Sequence, residues 1–377
     1  MSSVPDVVKY LLLTDVHLGN PGIDPKMLHL KFKKYLYPEL KNIDILVLGG
    51  DFWDTLLHMD SPSSLTAVSI IGELMEMAYE YDYVLRILRG TITHDRNQNQ
   101  FFQISDDGRI RTINSIDIEY LERFDQWILY MPDDIPGDHM EIAKQKMRDL
   151  QLDKVDVIIH HGYFAHMLPP GIPMEPPHTL TVDKVNAAFS PIVVFNGHVH
   201  TPGVYRNVIS GGSFERFAHG EEHNKGFFLV DVNKSQRTVS SRFIINEDAT
   251  VYVTCDLRGH QTVESASEVF EPWFFTKIKQ KTRLMPSIYV RILAATPLIA
   301  ELLALWCKQQ SVAVIVSKPP GIKKEQALSD NKVNMEELPR ITLGNLTDLV
   351  FEHIKKQHSN ITTQDVDLVI KTVTGGS

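Results

Sequence analysis

Short apolar runs recur along the first half of the chain, and each ends abruptly in Gly, Asp or His. They are "KYLLLTD" at 9–15, "DILVLGGD" at 44–51, "YVLRILRG" at 83–90, "VDVIIHHG" at 155–162 and "IVVFNGHVH" at 192–200. Continuous Leu, Ile and Val without a polar alternation predicts strands buried on both faces. Between the first two runs, "PKMLHLKFKKYLYPEL" sets Leu28, Phe32, Tyr35 and Leu36 at helical spacing, with lysines on the other face. "SSLTAVSIIGELMEMAYEY" predicts a second helix, with Ser63 or Ser64 as its N-cap. Strand–helix alternation of this kind predicts an α/β layered domain. From residue 203 the runs shorten to "GVYRNVISGGSF", "KGFFLVDVN" and "RTVSSRFIIN", a β-meander that closes a first domain spanning 1–248.

Residues 249–325 read as a second, smaller unit. Its "SIYVRILAAT", "PLIAELLALWCKQQ" and "SVAVIVSKPP" give strand, helix and strand, with Pro297 suited to a helix start. "SKPPGIKKEQALSDNKVN" has the Pro and Lys content of a linker. The remainder, 326–377, carries two helical patterns. One aligns Leu346, Leu349, Val350 and Ile354, and the other Val366, Val369, Ile370 and Val373. Each apolar face needs a cover, supplied either by the chain's own domain or by a partner.

At 377 residues, with 43% apolar and 23% charged residues, two or three ordinary globular domains are expected. The longest apolar runs fall short of a bilayer span, so no membrane partner is expected. "MSSVPDVVKY" lacks a basic region followed by an apolar core, and only Cys255 and Cys307 are present, which together predict a reducing, cytoplasmic location. The net charge of −9 argues against a protein that simply coats nucleic acid. Residues 277–377 hold 14 Lys+Arg against 9 Asp+Glu, a surplus of +5 that leaves −14 for residues 1–276. An acidic front with a basic tail suits a metal-rich site beside a region able to meet an anion.

The chemistry sits where the apolar runs end. Asp15-Val16-His17 follows the first run; Gly50-Asp51 and then Asp54 follow the second. His94-Asp95 comes after the third, His160-His161 after the fourth, and Gly197-His198-Val199-His200 after the fifth. Ligands from successive strand ends of one sheet converge at its edge. Carboxylates combined with imidazoles suit divalent Mn, Fe or Zn.

This series resembles the calcineurin-like metallophosphoesterase superfamily. The resemblance implies a layered β-sandwich flanked by helices and two divalent metal ions. The stretch 205–230, "YRNVISGGSFERFAHGEEHNKGFFLV", is similar to the corresponding segment of SbcD-type nucleases, relatives of the meiotic-recombination nuclease in bacteria and phages. Gly212-Ser213, Glu215-Arg216, Gly220-Glu221 and Lys225-Gly226-Phe227 fall there in the family's order. The implied architecture is a nuclease domain, a small α/β capping domain and C-terminal helices that bind an SbcC-type ATPase.

By that resemblance, Asp15, His17, Asp51 and His200 hold one ion, and Asp51 bridges to a second completed by His160 and His198. His160 is favoured over His161 because the family's ligand is followed by x-Gly. The ions are expected to be Mn²⁺. His94 is the implied acid for the leaving oxygen, and Asp54 the residue that orients it. The family's Gly-Asn-His-Asp loop appears here as "RGTITHDR", and aligning its His puts Thr93 where Asn supplies an oxygen to the second ion. The implied activity is DNA phosphodiester hydrolysis in a repair or recombination complex, 3′→5′ on duplex ends and endonucleolytic on single strands, by a homodimer in a bacterial cell or a phage's host. The basic run Lys277, Lys279, Lys281 and Arg283 is suited to DNA phosphates, with a solvated surface as the other reading. A phosphatase or phosphodiesterase for other esters, and a non-catalytic DNA-end scaffold, are the alternatives.

Overall fold

Val8, Tyr10 and Leu12 point to one side of the first strand and Leu11 and Leu13 to the other, all of them fully buried. That strand, β1 (Val7–Leu13), lies at the centre of a layered α/β structure. The computed structural model describes residues 5–58, 61–102, 107–168, 179–278, 288–309 and 313–317. In chain order there follow β2 (Ile45–Gly49), β3 (Val84–Leu88), β4 (Ile110–Ile113), β5 (Asp117–Leu121), β6 (Gln126–Met131) and β7 (Val157–His161). After the short pair β8 (Tyr163–Phe164) and β9 (Thr179–Leu180) come β10 (Val193–Gly197), β11 (Gly203–Tyr205), β12 (Val208–Ser210), β13 (Gly226–Asn233) and β14 (Thr238–Ile245).

Two six-stranded mixed sheets result, ordered β14-β13-β1-β2-β3-β4 and β11-β12-β10-β7-β6-β5. Strands β1 to β4 are mutually parallel, as are β12, β10, β7 and β6, so each sheet presents a row of carboxyl ends at one edge. The sheets pack face to face through Tyr10, Val47, Tyr130, Ile159 and Phe195. Helices Pro25–Lys31 and Pro62–Glu80 cover the outer face of the first sheet, and His139–Asp149 and Val182–Phe189 that of the second. A buried Leu, Ile or Phe contributes about 1.5–3 kcal/mol relative to exposure, so these three apolar layers hold the sheets in register.

Two details depart from the sequence pattern. The helix at 25–40 changes to a π turn at Phe32–Leu36, just before Pro38, which lacks the amide that an α-helical bond would need. The N-cap of Pro62–Glu80 is Ser61, whose Oγ accepts from the Ser64 amide at 3.1 Å, with Pro62 in the first turn. Strands β4 and β5 gave no clean apolar signal because they carry a partly buried polar network. Arg86 on β3 makes two bonds to the Glu119 carboxylate at 2.8 and 2.9 Å, and the Tyr130 hydroxyl donates to it at 2.6 Å.

Within the same compact unit (Met1–Pro319), the stretch after β14 forms a parallel sheet β15-β16-β17 (Val251–Leu257, Ile288–Ala294, Ala313–Ser317) with helices Val263–Ile278 and Pro297–Gln309. Its junction with the two six-stranded sheets is clamped by Glu215, which is fully buried. That carboxylate accepts from Lys31 Nζ at 2.6 Å, Asn246 Nδ2 at 3.2 Å and the Thr250 amide at 2.7 Å. Arg216 donates to the Thr250 carbonyl at 3.2 Å. The Glu-Arg pair in the 205–230 stretch is therefore an anchor for the junction. The Tyr289 hydroxyl, from β16, donates to the Gly22 carbonyl at 2.9 Å. No helix among the described residues is long and apolar enough to cross a membrane.

Candidate metal centre

The loops that leave β1 and β2 are zipped together. The amides of Asp15, His17 and Leu18 donate to the carbonyls of Gly50, Asp51 and Phe52 at 2.9–3.0 Å. Asp15, His17, Asp51 and His198 all have positive φ, at 50°, 49°, 48° and 81°. Non-glycine residues in that region cost about 1–3 kcal/mol each, and such strain concentrates where side chains must be aimed. Two glycines make the close approach possible. A Cβ on Gly50 would stand 2.1 Å from His161 Nδ1, and one on Gly90 would stand 2.2 Å from Asp51 Oδ1.

One cluster brings together Asp15, His17 and His200. His17 Nδ1 lies 3.1 Å from Asp54 Oδ1, and His200 Nδ1 lies 3.0 Å from Glu221 Oε1. Ionised carboxylates only accept, so both Nδ1 atoms carry the hydrogen. The two Nε2 atoms then face each other at 3.2 Å, with Asp15 Oδ1 3.8 Å from that of His200. Two lone pairs at that distance require a proton or a cation between them. Burial disfavours charge on His200, but Glu221 and Asp15 raise its pKa above the ordinary value. Burial likewise opposes the charge on Glu221, yet His200 and Lys225 hold its carboxyl down to about 2. Asp54 is also held below its usual range against burial, by His17 and by Asn20, whose Nδ2 donates to it at 3.0 Å. Lys225 donates to Glu221, to Ser213 Oγ and to the His200 carbonyl at 2.8, 2.8 and 3.0 Å.

A second cluster contains Asp51, His161 and His198. His161 Nδ1 donates to the Gly49 carbonyl at 2.8 Å, so its Nε2 is directed at Asp51 Oδ2, 3.2 Å away. That Nε2 is buried without a hydrogen bond, as is His198 Nδ1. Burial works against charge on both members of the pair. The attraction nonetheless pushes His161 up to about 10, and His161, with His17 and His94, holds Asp51 well below the carboxylate range. Burial, with His161, lowers the pKa of His198. A divalent ion meets the same demand as the proton it displaces. Thr91 fixes the Asp51 carboxylate: its amide and Oγ1 donate to it at 2.6 and 3.1 Å. The donor sets of both clusters therefore fit a metal.

Several sequence expectations are redrawn. His160 is on the other side of β7 from the cluster; its Nδ1 donates to Asn196 Oδ1 at 2.6 Å, its ring packs on Phe164, and burial pushes it down to about 4. His161 stands in its place. Thr93 is exposed in a short helical turn (Ile92–Asp95), and the threonine that reaches Asp51 is Thr91, which donates to its carboxylate. His94 is oriented by Asp54 through the backbone: its Nδ1 lies 2.6 Å from the Asp54 carbonyl, while the Asp54 carboxylate serves His17. Asp95 is fully buried and clamps the loop, accepting from the amides of Gly90 at 2.7 Å and Trp53 at 3.1 Å. Burial, with nearby Asp51, pushes it up to about 6.

Glu221, Asn20, Lys225 and Asp133 had no role assigned from the sequence. Asp133 carries the same signature as the others, an apolar run ("WILYM") followed by an acid. Lys277 is exposed near the end of helix Val263–Ile278; Lys279, Lys281 and Arg283 lie outside the described residues, as do Leu346, Leu349, Val350, Ile354, Val366, Val369 and Ile370.

These features define an α/β protein with a carboxylate–imidazole centre at the shared edge of two sheets. No known family profile matches the chain, and no curated protein matches it.

Proposed function

We propose that the chain is a metal-dependent phosphodiesterase of the calcineurin-like type, and that its substrate is DNA. The observation that carries this reading is the convergence of residues from four strand ends, those of β1, β2, β7 and β10, on two clusters in which His17, His200 and His161 are each held by an oxygen acceptor. His17, His200 and His161 each present Nε2 to a carboxylate or to another imidazole. Two divalent ions, Mn²⁺ foremost, would there activate water and neutralise charge building on a phosphoryl group. Asp15, His17 and His200 would hold one, and Asp51, His161 and His198 the other.

The protein's own groups supply the rest. His94 stands edge-on to His17 at 4.7 Å, held at Nδ1 by a carbonyl, which leaves Nε2 to deliver a proton to the leaving oxygen. Phe217 packs edge-on against His17 and His200 and shields that side from water.

DNA is favoured over a small ester by two features. The 205–230 stretch is similar to that of SbcD-type nucleases, and the second unit is braced beside the centre. Tyr289 bonds Gly22, in the same loop as Asn20, which in turn steadies Asp54. A homodimer and an SbcC-type ATPase are the partners proposed with this reading, on the resemblance of the 205–230 stretch.

The test is cleavage of oligonucleotides with Mn²⁺ and with EDTA, beside p-nitrophenyl phosphate mono- and diesters. Mn²⁺-dependent DNA cleavage supports the reading. Turnover of the monoester alone would make the protein a phosphatase, and DNA-end binding without turnover a scaffold.

A further inference from the structure

Each cluster has one aromatic ring at its side, and the two rings differ in what they leave open. Phe217 lies against the first cluster, edge-on to both His17 and His200. Beside the second stands Tyr163, two residues past His161, edge-on to His198 with the ring centroids 4.3 Å apart. Alternation along the chain puts it there. His161 and Tyr163 both meet the His198 ring, whereas His160 packs on Phe164. Phe164 is fully buried, and Tyr163 is 42% exposed.

The exposed ring is held in place rather than loosely displayed. Its backbone pairs with Thr179 in the short β8–β9 ladder, and one side of the ring is spent on His198. What remains is a fixed, flat aromatic surface open to solvent, directly beside a centre suited to a phosphoryl group. Such a surface recognises a planar ring carried on the same molecule as the phosphate. A nucleobase is that ring, because every base has a π-face and stacks on an aromatic side chain whatever its sequence.

We propose that Tyr163 is a base-stacking, specificity-determining residue, which holds a nucleobase beside the phosphodiester bound at the second cluster. The inference rests on the phosphodiesterase reading and narrows its substrates to nucleotidyl esters. Stacking reads the face of a base and not its edge, so all four bases are accepted. A base must also leave its own stack to reach the ring, which favours single strands and frayed ends over intact duplex.

Two substrates with the same leaving group test it: thymidine 5′-(p-nitrophenyl phosphate) and methyl p-nitrophenyl phosphate, each hydrolysed with Mn²⁺. In Tyr163→Ala, kcat/KM for the thymidine ester should fall by about 5–100-fold, while the methyl ester stays at its wild-type rate. Tyr163→Leu keeps an apolar side chain against His198 and should behave as Tyr163→Ala does; Tyr163→Phe should match the wild type. Fluorescence anisotropy with Ca²⁺ in place of Mn²⁺ reads binding apart from turnover. The wild type should prefer a single-stranded oligonucleotide to the same strand made abasic, and Tyr163→Ala should narrow that preference. An equal loss on both esters in Tyr163→Leu would show that the ring acts only through His198, and an unchanged thymidine ester in Tyr163→Ala would show that it holds no base. Either result overturns the proposal and leaves the phosphodiesterase reading standing. A wild-type protein that hydrolyses neither ester would overturn that reading, and the proposal with it.

Discussion

The two clusters are alike in ligand type and unlike in backing. In the first, both imidazoles rest on carboxylates, Asp54 and Glu221, and these are steadied in turn by Asn20 and Lys225. In the second, His161 rests on a neutral carbonyl and His198 on nothing closer than 3.7 Å, while the Asp51 carboxylate is shared with Thr91. An imidazole backed by a carboxylate is a stronger and better oriented ligand than one backed by a carbonyl. The first cluster is therefore expected to bind its ion more tightly, and activity to follow occupancy of the second.

The largest effect should come from His94, which stands with His17 and Asp54 beside the first cluster. His94→Asn is expected to cut phosphodiester turnover by roughly 10²–10⁴-fold while leaving both Mn²⁺ affinities in place. Loss of an ion from the first cluster in this variant would instead make His94 a ligand.

Next in size is a contrast between neighbours on one strand. His161→Asn should remove the second ion and lower turnover by roughly 10²–10³-fold. His160→Asn should keep both ions and cost about 1–3 kcal/mol of stability, because Asn196 Oδ1 is left without its donor in a buried place. The reverse result, by titration and thermal melts, would move the ligand back to His160.

Glu221→Gln probes the carboxylate backing directly. The tighter ion should weaken by about 10–100-fold and the weaker one should not. The smallest effect is on folding: Mn²⁺ at about 100 times its Kd should stabilise the protein by about 2.7 kcal/mol, reversed by EDTA. A melt that ignores Mn²⁺ would argue that neither cluster holds an ion.

Most of the strands that build the centre were legible because parallel strands buried on both faces leave an unbroken apolar run. β1, β2, β3, β7 and β10 each did so, and the polar residues just past them are those that meet. Strand β5 was not legible: its Glu119 is half-buried against the fully buried Arg86 of β3, and polarity there looks like a surface. Asp133 follows the apolar run of β6 and so carried the same signature as the other strand-end acids. The Thr91 position was missed for another reason. Aligning on His94 assumes a fixed spacing, and a helical turn at Ile92–Asp95 carries Thr93 to the exterior.

What the chain's own pattern determined is the layered α/β architecture of its first domain and the set of strand ends that carry acids and imidazoles. Burial of apolar side chains depends on composition and period, and both can be read along a line. What only the tertiary structure decided is which atoms face each other. His160 and His161 are adjacent, equally buried and chemically identical, yet strand parity sends one to Asn196 and the other to Asp51. The acceptors behind each imidazole come from residues up to 112 positions away, as with Gly49 behind His161. Hydrogen bonds depend on distance and direction in space, which no spacing along the sequence encodes.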